Sequence, residues 1–442
     1  GNFGRLLDRL EMRMQQAKRR PLAAVLQPAE QWSDTAFMPG RLPGNATYRP
    51  CQYCGKLPAS HEDERARRTC TLCDQDVRLG RRLTTARLAV IFDDERRGEF
   101  KAVENSFGVL ESGYPPGDAS WALAINDFDA PFQARQAPVW HRFFANTIPR
   151  PGPEGCSQCQ GRDNCVIPDD ERPAPGGAKT FACLSRLATG RNALAWLKGD
   201  VDNLGRTFAF GFPEPMRSVS RIATLSRMLD LFFGGWMNHL LETEFPNTYT
   251  VFSGGDDFLL VGPWSQMVEL ADELRRAFER FTCGRLTFSS GYALAGSGTP
   301  VASAAPMVER CLERAKEERA FGAAEGRDQI HVFGTTLKWQ RFPAAVAEAD
   351  KLAHWLSAGV VTVSAARRLL TYAEMWARFR RTGETANLRF IPLLAYDITR
   401  NWPDTSPEAS AARQWVARFR NVEEPAFHGL RFVLEYALNT QR

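Results

Sequence analysis

Between Asn192 and Gly334 the apolar positions fall into a regular alternation of short runs and longer runs at helical spacing. ALAWLKGDV (193–201) has the length and bulk of a buried strand. SRIATLSRMLDLFFGGWMNHLLETEF (220–245) repeats its apolar residues at helical spacing and predicts one long helix. TYTVFSGGDDFLLVG (248–262) predicts two short strands about a tight turn, and SQMVELADELRRAFERF (265–281) a second helix. LTFSSGYALAG (286–296) gives another strand, APMVERCLERAKEERAF (305–321) a third helix, and QIHVF (329–333) a closing strand. The order is βαββαβ with one added helix and strand, so the segment 191–335 is expected to be a ferredoxin-like polymerase palm within an α+β protein.

The flanks read differently. Residues 1–30 form a basic helix, ended by the Pro/Gly stretch FMPGRLPGNATYRP, so that 1–45 is an N-terminal basic helix and linker. Residues 46–150 carry the strand-like runs ARLAVIFDD, FGVLESG and WALAIND, as expected of a small mixed α/β module. Residues 151–190 are a Pro/Gly-rich insertion with several cysteines. After residue 335, FPAAVAEADKLAHWLSAG, SAARRLLTYAEMWARFRR, LRFIPLLAYDITRNW and GLRFVLEYALNTQ spell amphipathic helices, predicting an all-helical domain over 336–442. Its aromatic residues read as core.

Composition narrows the class. A chain of 442 residues with 44% hydrophobic and 24% charged residues suits a globular protein of several domains. No run approaches the roughly 20 apolar residues that span a bilayer, and the start lacks a signal-peptide core, so a cytoplasmic protein with no membrane partner is expected. The chain opens in mid-helix without Met, as one part of a longer polypeptide would. The net charge is +5, and residues 336–442 hold the whole surplus, 15 Lys and Arg against 10 Asp and Glu. Arg367, Arg368, Arg378, Arg380 and Arg381 are therefore candidates for contacting a nucleic-acid backbone or a small partner subunit.

Eight of the ten cysteines sit in two groups. Cys51, Cys54, Cys70 and Cys73 form two CxxC turns separated by 15 residues, a spacing that brings four thiolates into one tetrahedral shell and suits a structural zinc. Cys156, Cys159, Cys165 and Cys183 are spaced more loosely and are candidates for a second zinc, giving one bound ion or two. Cys283 and Cys311 read as lone buried thiols.

The turn in TVFSGGDDFLLVG places charge inside an apolar run. Gly254 and Gly255 are expected to supply positive φ, setting Asp256 and Asp257 at the hairpin tip. The first palm strand ends in GDVDNLG, and in this topology its end lies beside that tip. Asp200 and Asp202 should then approach Asp256 and Asp257 as a cluster of four carboxylates. Such a cluster repels itself in a site of low dielectric and calls for divalent cations, and hard oxygen ligands select Mg²⁺ or Mn²⁺. Two such ions suit in-line nucleotidyl transfer. A GGDD turn by itself also fits a surface hairpin whose Asp satisfies turn amides; the DxDxxG strand upstream favours the metal site.

LKGDVDNLGRTFAFG, SRIATLSRMLDLFF, FSGGDDFLLVG and ERAKEERA…RDQIHVFG together resemble the second palm of the large subunit of type III CRISPR effector complexes, the Csm-type (III-A) subunit above all. The two-CxxC module followed by LGRRLTTARLAVIF resembles that family's zinc-bearing insertion, and the helical tail its thumb-like C-terminal domain. The resemblance implies an ATP-using nucleotidyltransferase that makes cyclic oligoadenylates in antiviral defence when the complex binds target RNA. Asp200 and Asp256 would be metal ligands with the carbonyl of Val201, and Asp257 would complete the shell or help deprotonate a ribose hydroxyl. Lys316 would face the triphosphate, Asn203 and Gly205 would line the nucleotide pocket with Gly254 and Gly255, and Ser220 would contact adenine. The implied partners are CRISPR RNA, target RNA, and the small and backbone subunits of the complex. The family's HD nuclease and first palm are expected on another segment or chain.

Two other classes share these features. A diguanylate cyclase has the same palm but reads GGDEF and takes GTP, and a non-catalytic scaffold would hold the complex together without using its carboxylates.

Overall fold

A computed structural model describes residues 9, 12–14, 16, 49–55, 57–63, 66–94, 97–102, 105–111, 113–127, 129, 133–134, 137–151 and 177–441. It divides into two compact units, Gly1–Phe143 with Asn203–Arg227, and Phe144–Asp202 with Met228–Arg442. The expected basic helix over 1–30, with its linker to 45, lies almost wholly outside the described residues.

In the first unit a short ribbon, β1 (His61–Glu62) against β2 (Arg68–Thr69), leads into α1 (Thr71–Leu83). The Cys70 sulfur caps this helix by accepting the Cys73 N–H. A six-stranded sheet follows: β3 (Leu88–Phe92), β4 (Phe100–Ala102), β5 (Asn105–Leu110), β6 (Trp121–Ile125), β7 (Gln133–Ala134) and β8 (Ala137–Arg142), in the order β4-β5-β3-β6-β8-β7. Period-two alternation buries Leu88, Val90 and Phe92 with Ala122, Ala124 and Val139 on one face. Ala86, Phe100, Val109 and Ile125 pack with Leu79 of α1 on the other. Strands β3, β5 and β6 coincide with the three apolar runs. Helix α1 and strand β8 were not foreseen, because α1 buries no residue fully and β8 alternates Ala and Val with exposed Pro138 and Trp140.

The second unit holds α2 (Phe181–Arg186) and β9 (Leu194–Val201). The chain then passes through α3 (Leu204–Phe210) and α4 (Val219–Asp230), a π-helical turn over Leu231–Trp236, and α5 (Met237–Thr243). The long helix read from the sequence is thus interrupted where Gly234 and Gly235 stand, since glycine tolerates the widened turn. Next come β10 (Tyr249–Gly254), β11 (Asp257–Pro263), α6 (Trp264–Phe281), β12 (Phe288–Ala295), α7 (Val301–Glu317), β13 (Gln329–Val332) and β14 (Thr335–Lys338).

The sheet order is β10-β11-β9-β12-β13-β14, with every neighbour antiparallel except β12 and β13. Its first four strands have the ferredoxin-like order, so the α+β palm expected from the pattern is present. One face buries Leu194, Trp196, Leu259 and Val261 against Ala304 and Val308 of α7. The opposite face is aromatic: Phe233 packs against Phe258 and Phe278, and Phe288 against Phe258 and Trp339. Gly291 is needed for a close approach, because a Cβ there would stand 2.3 Å from the Leu312 nitrogen and 2.5 Å from the Val308 carbonyl. Helix α7 therefore lies tight against β12, and its end reaches the rim of the sheet.

Beyond the palm lie α8 (Phe342–Ser357), α9 (Val363–Thr382), α10 (Phe390–Asn401), α11 (Pro407–Ala417) and α12 (Phe427–Thr440). Helix α12 packs against α8 and α9, with Phe427 stacked on Trp376 at 4.9 Å between ring centroids. Aromatic residues in these helices are largely core, as their spacing suggests. Strand β14 begins at Thr335 and carries the palm sheet on to Lys338, three residues into the segment expected to be all helical. Among the described residues no helix is long and apolar enough to cross a membrane.

Candidate functional site

The acidic residues meet at one end of the palm sheet. Asp257 opens β11 directly opposite Asp200 of β9, and Asp200 stands opposite Ser289 of β12. Strand alternation places Trp196, Lys198 and Asp200 on the face that α7 covers, the first in the core and the last at the rim. Asp256 occupies the turn. Its N–H donates to the Gly254 carbonyl at 2.8 Å, its carbonyl accepts the Val201 N–H at 2.9 Å, and the Gly255 N–H donates to Asp230 Oδ1 at 3.1 Å.

Of the two glycines only Gly255, at φ +65°, uses the left-handed region. Gly254 ends β10 and pairs with Asp257, so it serves as a strand residue. The expectation that both supply positive φ is corrected here. A two-residue connection needs one such residue when the second keeps an ordinary φ.

Lys316 near the end of α7 lies 2.6 Å from Asp200 Oδ2. Two turns earlier on the same helix, Glu309 pairs with Lys198, so two ion pairs of opposite sense tie α7 to β9. Lys198 and Glu309 were not singled out from sequence, although Lys198 stands two residues before Asp200 and strand alternation alone puts the two on one face. Among the described residues Asp256 and Asp257 form no ion pair. Burial raises the Asp256 carboxyl above its ordinary range, and the charge on Asp200 adds to the effect. Asp257 is raised by burial and then by Asp256, with Lys198 pulling the other way.

Asp202 does not join this cluster. It is 4% exposed and turned inward, accepting hydrogen bonds from Thr287 Oγ1 and Ser289 Oγ at 2.8 Å each and from the Asp328 N–H at 2.9 Å. Burial raises its carboxyl, against the pull of those donors. The expected four carboxylates are three, because Asp202 lies one residue past the end of β9 and takes up the donors of β12 and of the loop before β13.

The three that remain are hard oxygen donors, half-buried and short of positive charge, with one ammonium among them. This donor set fits Mg²⁺ or Mn²⁺. The carboxylate oxygens do not close to the 4.8 Å mutual spacing that the cysteine cluster reaches.

Of the remaining expected residues, Val201 pairs with Phe288 at the end of β9. Asn203, at φ +55°, precedes α3, Gly205 lies in its first turn, and exposed Ser220 lies in the first turn of α4. These three belong to the segment that groups with the first unit.

In that first unit the Cys51, Cys54, Cys70 and Cys73 sulfurs all lie within 4.8 Å of one another. The first pair sits in a turn closed by the Gly55 N–H on the Cys51 carbonyl, and the second pair stands at the N-terminus of α1, where the helix dipole favours thiolate. Burial pushes the Cys51 thiol up, but the backbone amides of Cys54, Cys70 and Tyr53 outweigh it and bring it to about 6. Burial and hydrogen bonds from its neighbours push Cys73 up to about 12. Four soft donors in one shell make a cluster able to hold a metal ion, and the set fits zinc.

Cys156, Cys159 and Cys165 lie outside the described residues, and Cys183 is buried in the first turn of α2. Cys283 is exposed and Cys311 half-buried, so neither is the deeply buried thiol expected; Cys283 stands past the end of α6 in the left-handed region. Of the candidate arginines, Arg367, Arg378, Arg380 and Arg381 are exposed, with Arg380 3.4 Å from Glu423. Arg368 is half-buried and engaged by Asp397 at 2.8 Å, which removes it from the exposed set.

Residues 193–331 match the family of the Cas10/Cmr2 second palm domain. A Cas10/Csm1 protein of subtype III-A from Thermococcus onnurineus, named a CRISPR system single-strand-specific deoxyribonuclease, is 31% identical over 296 residues, 63% of this chain and 34% of the relative. A protein of the same name from Enterococcus italicus is 37% identical over 148 residues, 31% of this chain and 19% of the relative. The chain thus spans about a third or less of these relatives. Among solved structures, a Csm1-Csm4 cassette in complex with AMPPNP superposes with a TM-score of 0.59 at 24% identity, covering 84% of this chain and 50% of that one. The cassette in complex with cA3 gives 0.57 at 23% identity, with the same coverage. These likenesses show a shared fold.

Proposed function

We propose that the segment 193–331, which matches the Cas10/Cmr2 second palm domain in a chain that resembles the C-terminal part of type III-A large subunits, joins ATP molecules into cyclic oligoadenylates within an RNA-guided effector complex. The observation that carries this reading is the meeting of Asp200 with Asp256 and Asp257 at one sheet end, beside Lys316. The cassettes solved with ATP, AMPPNP, cA3 and cA4 support it by ligand class.

In this reading Asp200, Asp256 and Asp257 hold two Mg²⁺ or Mn²⁺ ions, with the Val201 carbonyl assisting. When bound, the ions supply a lowered hydroxyl pKa and neutralise the departing pyrophosphate. A ribose hydroxyl attacks an α-phosphorus, the new P–O bond forms, and the bond to pyrophosphate breaks. Asp257 completes the ligand set or takes the hydroxyl proton. Lys316 turns from Asp200 to the triphosphate, where an ammonium stabilises charge on the leaving group. Gly254 and Gly255 bring backbone close to phosphate; Asn203 and Gly205 as nucleotide-lining residues and Ser220 as an adenine contact rest on the family resemblance alone.

The four-cysteine cluster of the first unit holds a structural zinc. Exposed Arg367, Arg378, Arg380 and Arg381 contact RNA or a neighbouring subunit. The DNA cleavage named for the relatives is not assigned to these residues.

The test supplies the assembled complex with guide, target RNA, Mg²⁺ and radiolabelled ATP or GTP. Cyclic oligoadenylates from ATP are expected. Cyclic di-GMP from GTP would replace this reading by a diguanylate cyclase, and an intact complex that makes no nucleotide product would leave a scaffold.

A further inference from the structure

The turn that carries Asp256 is held from two sides. On one side its carbonyl accepts the Val201 N–H of β9 at 2.9 Å. On the other, two bonds run to the helix 20 to 25 residues upstream: the Gly255 N–H donates to Asp230 Oδ1, and Ser253 Oγ donates to the Phe233 carbonyl, each at 3.1 Å. The helix is built for this contact. Asp230 is the last residue of α4, and the chain then widens into the π turn Leu231–Trp236. There the Met237 N–H donates to the Phe232 carbonyl, five residues back, instead of to the Phe233 carbonyl four residues back. The slip leaves Phe233 without that α-helical donor at the point where Ser253 bonds to it. Widened turns of this kind often stand at functional sites.

The turn needs such a hold. Gly255 sits at φ +65°, with nothing within 4 Å of where a Cβ would be, so side-chain packing does not restrain it. A loose glycine turn would let Asp256 retreat towards solvent.

We infer that Asp230 is a positioning residue for the palm site, fixing through the Gly255 amide the turn that aims Asp256 at the ions shared with Asp200 and Asp257. It acts as a hydrogen-bond acceptor for the Gly255 amide from the last position of α4, immediately before the π turn. The inference rests on the reading of the palm as a metal-dependent nucleotidyltransferase.

The test compares Asp230→Ala with Asp230→Asn, which keeps an Oδ1 acceptor and removes the charge. Three measurements are made on the assembled complex: steady-state kinetics giving kcat and KM for ATP, Mn²⁺ affinity by paramagnetic resonance without nucleotide, and hydrogen exchange of the peptide spanning 250–258 without metal. Asp230→Ala is expected to lower kcat about 10- to 100-fold with KM within about twofold, since misplacement of about 1 Å has effects of that size. Mn²⁺ affinity should fall about tenfold and the turn amides should exchange faster. Asp230→Asn should restore all three to within about threefold of the parent.

Equal loss in both variants would make the charge the active feature, and the positioning role would fall. Parent-like kcat, Mn²⁺ affinity and exchange in Asp230→Ala would overturn it outright. If the parent complex makes no cyclic oligoadenylate, the nucleotidyltransferase reading fails by itself, while the Mn²⁺ and exchange measurements still decide whether Asp230 sets the turn.

Discussion

In the first unit the strands line up β4-β5-β3-β6, and in the second β10-β11-β9-β12. In both sheets the earliest strand lies between the third and the fourth, all these neighbours are antiparallel, and the fourth has a parallel neighbour beyond it. Both early strands also run into acidic residues, Asp93 and Asp94 after β3, Asp200 and Asp202 at the end of β9. What surrounds these residues differs. Asp93 and Asp94 are exposed, and Arg97 lies 3.8 Å from Asp94 and pairs with Asp118. Such surface pairs contribute about 0–1 kcal/mol and gather no field. In the palm, a helix packed at Gly291 covers the strand, the hairpin returns two more carboxylates opposite Asp200, and partial burial keeps solvent from screening them. One strand order thus carries two outcomes; in the palm, burial and the returning hairpin bring three carboxylates together, and among the described residues only Asp200 of the three has an ion-pair partner, Lys316.

The sharpest way to break this comparison is to strip both strand ends of charge. Asp256→Ala with Asp257→Ala should lower ATP conversion by the complex on the order of 10³-fold while assembly persists. Asp93→Ala with Asp94→Ala should leave it within about twofold of the parent. Equal effects, read by chromatography of labelled products, would deny that burial separates the two ends.

A second contrast concerns what stabilises each unit. With zinc in the four-cysteine cluster as proposed, Cys70→Ser should lower the zinc content measured by atomic absorption and the melting of the first unit on the order of 10 °C. Mn²⁺ binding at the palm should be unchanged. A single melting transition displaced with loss of Mn²⁺ binding would show that the two units are not independently stabilised.

The smallest expected effect is in pH. Asp256 and Asp257 are raised in the folded protein, so the folded state holds more protons than the unfolded one. Without divalent ions, stability from this pair is present below the ordinary carboxylate range and declines as pH rises through the raised values. Mn²⁺ requires the charged form. The melting temperature with Mn²⁺ should therefore separate from that without it by about 2 °C or more between about pH 4 and about pH 7. A constant separation over that range would show that these carboxylates are not the ligands.

Much of the palm could be read in the chain because its elements are long and strongly periodic. Every strand of β9–β13 and both helices α6 and α7 announce themselves by their apolar spacing. The cysteine cluster is equally plain, since two CxxC turns leave few other geometries. What escaped has a common cause. Helix α1 and strands β8 and β14 are short or weakly apolar, and they take shape from the layers beside them. Asp202 looks in sequence like Asp200; only the donors on Thr287, Ser289 and Asp328 separate a buried structural carboxylate from one at the rim. Lys198 and Glu309, 111 residues apart, share no local signal.

By itself the sequence determined the strongly periodic strands and helices of the palm, that four thiols share one shell, and that adjacent carboxylates follow a glycine turn, because these depend on spacing along one backbone. The tertiary structure alone decided which carboxylates face one another, which cation stands beside them, and how the turn is held. Those depend on the register between strands and on how closely a helix can approach a sheet, distances set by contacts remote in the chain.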